Sequence, residues 1–355
     1  MPSINLTAQR LAQLDPTDML GKTLELAEQL QAGAALADQF LAQNSLSAEP
    51  LLDWCGLGGS AVAGDLLQAF GLEPPGLDAR IFVRRWECAS ALPRLVCSYS
   101  GNTVESVYAL KEVPTPQVWL AMSSAGEIEQ YASAQNIPHL KLPGGYPPRA
   151  AVGFSLGAVH RLFKKVYGFH DPSLDNWPLA ELRADAVVYG GLNPAANPAL
   201  ALAMKLVDRT PVIYTCDGMV DPALAFRFRA QLAENSKVWA RASELPELMH
   251  NEVESFAHMS QVLPPVFVLF IGKWAKRNAI ADPRMALEQL LASLGVQSMR
   301  IDPSVLFPTT RGRLAQGVRM MLFLDAVTIF LAVLRAEDPM EIPKITALKN
   351  LLSGS

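Results

Sequence analysis

Residues 51–70 read LLDWCGLGGSAVAGDLLQAF, an apolar run followed by a glycine cluster and then by apolar residues at helical spacing. The short apolar run, Leu51–Cys55, predicts a strand. The glycine cluster predicts a tight turn, and Ser60–Phe70 predicts a helix. A strand, a turn and a helix in this order begin a parallel βαβ unit.

The same alternation continues along the chain, so the sequence predicts an α/β fold. We expect two doubly wound parallel-sheet lobes with helices on both faces. The further strands predicted for the first lobe are Ile81–Val83, Arg94–Tyr99, Gln117–Met122 and His139–Leu142. Those predicted for the second lobe are Ala186–Tyr189, Pro211–Tyr214, Val266–Ile271 and Val296–Ile301.

The length of 355 residues fits two domains at about 150 residues each. Asp171–Pro178 has the composition of a linker, so we expect the lobes to comprise residues 1–172 and 173–355. Half of the residues are apolar and 18% are charged, which is typical of a globular chain with a large core.

The charge balance argues against several classes of partner. The net charge is −4, so no basic footprint for nucleic acid or for an anionic membrane is visible. The apolar stretch Gly317–Leu334 contains Arg319 and Asp325, which favours a buried helix over a membrane span. The first ten residues lack an apolar signal core, and the four cysteines form no Cys-x-x-Cys pair. We therefore expect a cytoplasmic protein with reduced thiols.

Two turns rich in glycine and hydroxyl groups follow predicted strands of the first lobe. One is Gly56–Ser60, and the other is Ser98–Thr103. Parallel sheets bind ligands at the carboxyl ends of their strands, and a helix N-terminus attracts anions. Together the turns predict a phosphate site, although Ser, Asn and Thr also cap helices without binding a ligand. The chain has no Gly-x-x-x-x-Gly-Lys-[Ser/Thr] motif, which disfavours nucleotide hydrolysis.

The first turn also fits the loose dinucleotide pattern, through Gly56, Gly58 and Ala61. Glu87, or the pair Arg84 and Arg85, follows the next predicted strand, where a ribose contact is expected. An NAD(P)-dependent dehydrogenase is therefore an alternative. Such a fold does not require the hydroxyl-rich second turn.

Several segments resemble one family in their order along the chain. GLGGSAVAGD and SYSGNTVES look like the two phosphate loops of sugar isomerase (SIS) domains. The chain as a whole resembles the bifunctional phosphoglucose/phosphomannose isomerases. The further matching segments are Pro147–Leu156, Phe228–Val238, Met249–Phe256 and Asp338–Leu352.

The resemblance implies a hexose 6-phosphate substrate and a role for each matched residue. It assigns the enediolate-stabilising cation to Arg149, the proton-transfer base to Glu234, and ring opening to His250 and Lys349. In the family the histidine reaches the site from a neighbouring subunit, which implies a homodimer. The substrate phosphate is assigned to Gly58, Gly59, Ser60, Ser98, Ser100 and Thr103.

Four points stay open here. Glu234 could be a solvated helix residue that pairs with Lys237, and Lys344 lies close enough to Lys349 to take its role. The segment Met340–Lys344 departs from the family pattern, so use of both the glucose and the mannose epimer is open. A non-catalytic sugar-phosphate sensor would keep the phosphate turns and lose the chemistry. The sequence predicts no cofactor and no metal, because no His-x-His or His-Glu-x-x-His motif is present.

Overall fold

The computed structural model describes residues 6–70, 80–84, 91–168, 176–216, 220–257, 265–274 and 281–353. The chain divides into two compact units. The first unit comprises Glu25–Arg183 and Gly312–Ala315, and the second unit comprises Met1–Leu24, Ala184–Arg311 and Gln316–Ser355. The predicted boundary at residue 172 falls outside the described residues and stays a prediction. Glu87, Arg85 and Cys88 also lie outside them.

The strands of the described residues form two parallel sheets. They are β1 Leu51–Cys55, β2 Arg80–Arg84, β3 Arg94–Cys97, β4 Val118–Ser123, β5 His139–Lys141, β6 Thr210–Thr215, β7 Arg241–Glu244, β8 Val266–Ile271 and β9 Gln297–Ile301. The helices before β6 are α1 Ala8–Leu14, α2 Met19–Leu24, α3 Leu26–Leu41, α4 Gly59–Ala69, α5 Val104–Lys111, α6 Gly126–Ala134, α7 Val152–Val166, α8 Leu179–Tyr189 and α9 Pro198–Leu206. Those after β6 are α10 Val220–Glu234, α11 Arg284–Ser293, α12 Pro303–Leu306, α13 Arg313–Leu334 and α14 Pro343–Ser353.

The first sheet has the strand order β2-β1-β3-β4-β5, and all of its pairs are parallel. This order confirms the predicted doubly wound fold, because the chain winds outward in both directions from β1 and β3. The two turns that follow β1 and β3 therefore lie at the switch point of the sheet, where such folds bind their ligands.

The second sheet has the strand order β7-β6-β8-β9 and is also parallel. Strand β7 escapes prediction because it is a polar edge strand whose end residues, Arg241 and Glu244, are exposed. The predicted strand Ala186–Tyr189 is wrong, since these residues form the last turn of α8. Leu182 and Tyr189, seven residues apart, are both buried, so the periodicity of a helix outweighs a short run of β-branched side chains.

Helices α3 and α7 of the first unit pack at very short range through glycines. A Cβ built on Gly33 would lie 2.2 Å from the carbonyl oxygen of Phe154, and one built on Gly157 would lie 2.1 Å from that of Leu30. No side chain fits such a gap. This contact fixes α7 and with it the segment that precedes α7 in the chain.

Replacing Gly157 by alanine should lower the free energy of unfolding by about 2–4 kcal/mol, because the added methyl group must push the two helices apart. The gain in helix propensity offsets only about 0.5–1 kcal/mol of this. Urea unfolding measures the difference. Gly144→Ala is the matched control, since a Cβ at Gly144 meets nothing within 4 Å. An unchanged midpoint for Gly157→Ala would contradict the packing argument.

Helix α13 is apolar enough and long enough to cross a membrane, and no other helix of the described residues passes that test. In its most apolar window, 89% of the residues are buried inside the protein. The side chains from Val318 to Val333 are almost all buried, as the sequence predicts for a core helix. The membrane span considered for this stretch is therefore disfavoured.

Candidate active site

The two predicted turns meet at the carboxyl edge of the first sheet. Strands β1 and β3 are neighbours, so the turns that follow them leave the sheet side by side. The backbone N–H of Tyr99 donates to Oγ of Ser60 over 3.1 Å, which ties the second turn to the first. A Cβ built on Gly56 would lie 2.8 Å from the carbonyl oxygen of Cys97, so a glycine is needed for this approach.

Both turns begin helices whose N-caps contribute no side-chain hydrogen bond. Gly58 is the N-cap of α4, and Thr103 is the N-cap of α5. Oγ1 of Thr103 instead accepts a hydrogen bond from Oγ of Ser98 over 3.0 Å. A helix leaves its first four N–H groups without intrahelical acceptors, and these groups attract anions. With Ser60 and Ser98 buried and Ser100 exposed beside them, the arrangement suits a phosphate dianion.

Arg149 lies beside the same edge of the sheet, on a short 3-10 segment before α7. Its side chain is buried. A Cβ built on Gly59 would lie 2.9 Å from the carbonyl oxygen of Pro148 and 3.5 Å from Cα of Arg149, so the start of α4 touches this segment. Nε2 of Gln29 holds the segment by donating to the carbonyl of Ala150 over 2.7 Å. The structure thus brings two predicted groups, the phosphate turns and Arg149, together in the first unit.

Tyr99 connects the second turn to the segment that leads to Arg149, a role the sequence analysis missed. Its hydroxyl donates to the carbonyl of Pro143 over 2.7 Å and accepts from the backbone N–H of Tyr146 over 3.2 Å. Burial raises the pKa of Tyr99, so the phenol keeps its proton at neutral pH. Burial also raises the pKa of Cys97, just below the turns, to about 11. The thiol is therefore neutral and does not repel an anion.

In the second unit, Glu234 is the last residue of α10 and is partly exposed. The two residues after it hold the helix end against α13. Nδ2 of Asn235 donates to Oγ1 of Thr328 over 2.9 Å, and Oγ of Ser236 donates to the carbonyl of Thr328 over 2.6 Å. These bonds are buried, so they fix the direction in which the chain presents Glu234.

The ammonium group of Lys237 donates to the carbonyl of Asn235 over 3.0 Å and to the carbonyl of Asp338. The lysine therefore serves the backbone at the end of α10. Whether Lys237 also forms an ion pair with Glu234, the alternative that the sequence left open, stays untested.

A buried polar seam between α10 and α13 supports the same helix end. Nη2 of Arg227 lies 2.7 Å from Oδ2 of Asp325, and both side chains are buried. Burial raises the pKa of Asp325, and the guanidinium acts in the opposite direction. Oγ1 of Thr328 donates to the carbonyl of Asp325 over 2.7 Å. The signal in the sequence is polar residues at helical spacing within two apolar helices: Arg227, Gln231 and Asn235, and Asp325 and Thr328.

His250 ends a 3-10 segment after β7 and is exposed. The residue two positions later, Glu252, is buried and anchors this loop. Its carboxylate accepts hydrogen bonds from Oγ of Ser243 over 2.6 Å and from the hydroxyl of Tyr214 over 3.3 Å, and pairs with Nε of Arg241 at 2.9 Å. The glutamate of the His-Asn-Glu motif therefore holds the loop, and the histidine stays accessible.

Glu234 and the loop of His250 follow opposite ends of the second sheet. Helix α10 runs back from the carboxyl edge after β6, so Glu234 lies at the amino edge before β7. A helix of 15 residues is about 22 Å long. His250 comes after β7 has returned to the carboxyl edge. The topology therefore does not place His250 next to Glu234 of its own chain.

Lys349 and Lys344 both lie on α14, and both are exposed. The helix therefore does not favour one lysine over the other. The assignment of ring opening to Lys349 stays a prediction.

Comparison with known proteins identifies the family. A bifunctional phosphoglucose/phosphomannose isomerase from Caldicellulosiruptor bescii is 31% identical over 313 residues, which cover 84% of this chain and 88% of the relative. The chain belongs to the bifunctional phosphoglucose/phosphomannose isomerase family. This finding confirms the resemblance seen in the sequence.

Further similarities place this family member in the SIS fold. A family model described as the bacterial phospho-glucose isomerase C-terminal SIS domain matches residues 195–352. A D-glucosamine-6-phosphate 4-epimerase from Sulfolobus acidocaldarius is 25% identical, over 84% of this chain and 89% of the relative. A hypothetical protein from Thermus thermophilus has a similar fold, with a TM-score of 0.71 at 14% identity, covering 98% of this chain and 92% of that one.

Proposed function

We propose that this protein interconverts glucose 6-phosphate and fructose 6-phosphate, and mannose 6-phosphate through the same cis-enediolate. The observation that carries the proposal is the meeting of Gly59, Ser60, Ser98 and the Arg149 segment at one sheet edge. It occurs in a chain whose relative from Caldicellulosiruptor is named for both isomerase activities. Hexose phosphates are metabolites of the cell interior, so the proposal includes a cytoplasmic location.

The substrate phosphate binds at the two turns. The backbone amides of Gly58 and Gly59, the first amides of α5 and the hydroxyls of Ser60, Ser100 and Thr103 donate to its oxygens. Ser98 orients the Thr103 hydroxyl by donating to it. A dianion held in this way needs no lysine, in agreement with the lack of a P-loop lysine.

Replacing Ser100 by alanine should raise KM for glucose 6-phosphate about 10- to 100-fold, because a hydrogen bond to a charged group contributes about 1.5–3 kcal/mol. Ser100 is exposed, so the free energy of unfolding should stay unchanged. Steady-state kinetics give KM, and Ser133→Ala, at another exposed serine, is the control. An equal KM for wild type and Ser100→Ala would remove this hydroxyl from the phosphate site.

The isomerisation requires one base and one cation. His250 and Lys349 open the pyranose by moving protons between the ring oxygen and the anomeric hydroxyl. Glu234 then removes the proton from C2 of the open aldose, which leaves a cis-enediolate with its negative charge on O1. Glu234 delivers the proton to C1 while the O2 hydroxyl passes its proton to O1, which yields the ketose. Arg149 stabilises the negative charge of the enediolate.

We infer that His250 acts in the site of a partner subunit of a homodimer. The support is topological, since Glu234 and the His250 loop follow opposite edges of their sheet. The exposure of His250 is consistent with a role outside its own chain.

The test follows fructose 6-phosphate formation from glucose 6-phosphate and separately from mannose 6-phosphate, with EDTA present. Activity on both substrates supports the whole proposal, and activity on glucose 6-phosphate alone restricts it to one epimer. Loss of activity on chelation would contradict the metal-free mechanism. Binding of the sugar phosphate without turnover would favour a sensor. Inversion at C4 of glucosamine 6-phosphate would instead assign the activity named for the Sulfolobus relative.

A further inference from the structure

A cavity lies at the amino edge of the second sheet, where β6 begins and α10 and α13 end. Its volume is about 390 Å³, within the range of about 300–1,000 Å³ typical of small-molecule sites. Arg209, Lys237 and Arg335 line it, together with Asp208 and Trp239. Three cationic side chains thus face one carboxylate, in a chain whose net charge is negative.

Neighbouring groups hold two of the cationic side chains, Arg209 and Lys237, at the cavity. The guanidinium of Arg209 lies over the ring of Phe267 at 5.1 Å and donates to the side-chain oxygen of Gln297. Lys237 is held by the backbone carbonyls described above. These contacts orient the side chains of Arg209 and Lys237 at the cavity.

Arg335 has an unmet hydrogen-bonding capacity. Its Nε is buried and has no hydrogen-bond partner within the described part of the chain. Its Nη1 lies 4.0 Å from Oδ1 of Asp208, whose side chain is 90% exposed, so this ion pair is weak. The terminal nitrogens of Arg335 therefore keep donor capacity for an anion in the cavity.

Trp239 gives the cavity a flat aromatic wall. Its side chain is 60% exposed, although the residues on either side, Val238 and Ala240, are buried. An exposed indole beside cationic side chains can stack on a planar ring while the cations bind phosphate oxygens. A free phosphate would not use this surface.

We propose that this cavity binds a nucleoside phosphate, with the base against Trp239 and the phosphate at Arg209, Lys237 and Arg335. None of the residues that line this cavity belongs to the two phosphate turns of the first unit or is among those assigned to the isomerisation. The proposal therefore does not depend on the isomerase activity.

Calorimetric titration of the full-length protein with adenosine 5′-monophosphate tests the proposal. The titration is run in the presence of saturating glucose 6-phosphate, so that the phosphate turns are occupied. Trp239→Ala should weaken binding about 5- to 100-fold, the range for loss of one stacked base. Trp239→Phe should restore most of the affinity. Arg209→Gln should weaken binding about 10- to 100-fold.

Arg229→Gln is the matched control, because the guanidinium of Arg229 also lies over a phenylalanine ring, Phe226, at 5.0 Å, and Arg229 does not line the cavity. Its affinity should equal that of wild type. Thermal unfolding verifies that each variant is folded. Three results would overturn the proposal: no binding, displacement of the nucleotide by glucose 6-phosphate, or equal binding of inorganic phosphate that Trp239→Ala leaves unchanged.

Discussion

Replacing Glu234 by glutamine should lower kcat for the isomerisation about 10²- to 10⁴-fold, the usual contribution of a general base. The amide has the shape of the carboxylate and cannot accept the proton from C2. The dissociation constant for the sugar phosphate should stay unchanged, because the phosphate turns belong to the first unit. The helix end should also keep its position, since Asn235 and Ser236 remain bonded to Thr328.

Two readouts separate loss of the base from a structural defect. Exchange of the C2 proton with solvent deuterium should disappear in Glu234→Gln. Interconversion of the sugar anomers should persist, because ring opening is assigned to His250 and Lys349. Glu181→Gln, at an exposed glutamate of α8, should behave as wild type in both measurements. Turnover at the wild-type rate in Glu234→Gln would remove this residue from the mechanism.

Replacing His250 by asparagine should also lower kcat, by about 10²- to 10⁴-fold. The step that is slowed should be the opening of the sugar ring. The free energy of unfolding should hardly change, because His250 is exposed and the buried anchor of its loop is Glu252. If the sugar ring opens faster in solution, part of the activity should return, because the variant then receives its substrate already in the open-chain form. Anomer interconversion by the variant, followed by NMR, gives the direct comparison with Glu234→Gln.

Co-expression of His250→Asn chains with Glu234→Gln chains tests whether the histidine crosses to a partner. If it does, a mixed dimer has one site with both intact residues and one site with neither. Random assembly makes half of the dimers mixed, so the preparation should recover about a quarter of wild-type activity. No recovery, or a sedimentation mass of a single chain of 38.5 kDa, would contradict the shared site.

Local sequence pattern was sufficient for most of the fold. Runs rich in apolar residues, such as Leu51–Cys55 and Val266–Ile271, are buried strands, because a strand in a parallel sheet is covered on both faces. The hydrophobic pattern failed to predict elements that are only partly buried. Strand β7 is polar because it lies at the edge of its sheet. In α8 the pair Val187 and Val188 is exposed, whereas the residues that the helix buries are Leu182 and Tyr189.

The positions of the turns after β1 and β3, though not their ligand, could also be predicted from the residue pattern alone, since each is a run of glycines and hydroxyls directly after a predicted strand. Their meeting with Arg149 could not. That contact depends on the crossing of α3 and α7 through Gly33 and Gly157 and on the Gln29 amide, over a separation of more than a hundred residues. No local pattern encodes such a pairing.

Most of the strands and helices, and the turns between them, thus follow from residues close together in the chain, because backbone preference and hydrophobic periodicity act locally. The support of Glu234 by the Arg227–Asp325 seam depends on contacts between α10 and α13, which only the folded chain forms. The same is true of the cavity between Arg209, Trp239 and Arg335. Both features rest on long-range packing, because buried polar groups acquire their partners only when distant helices close around them.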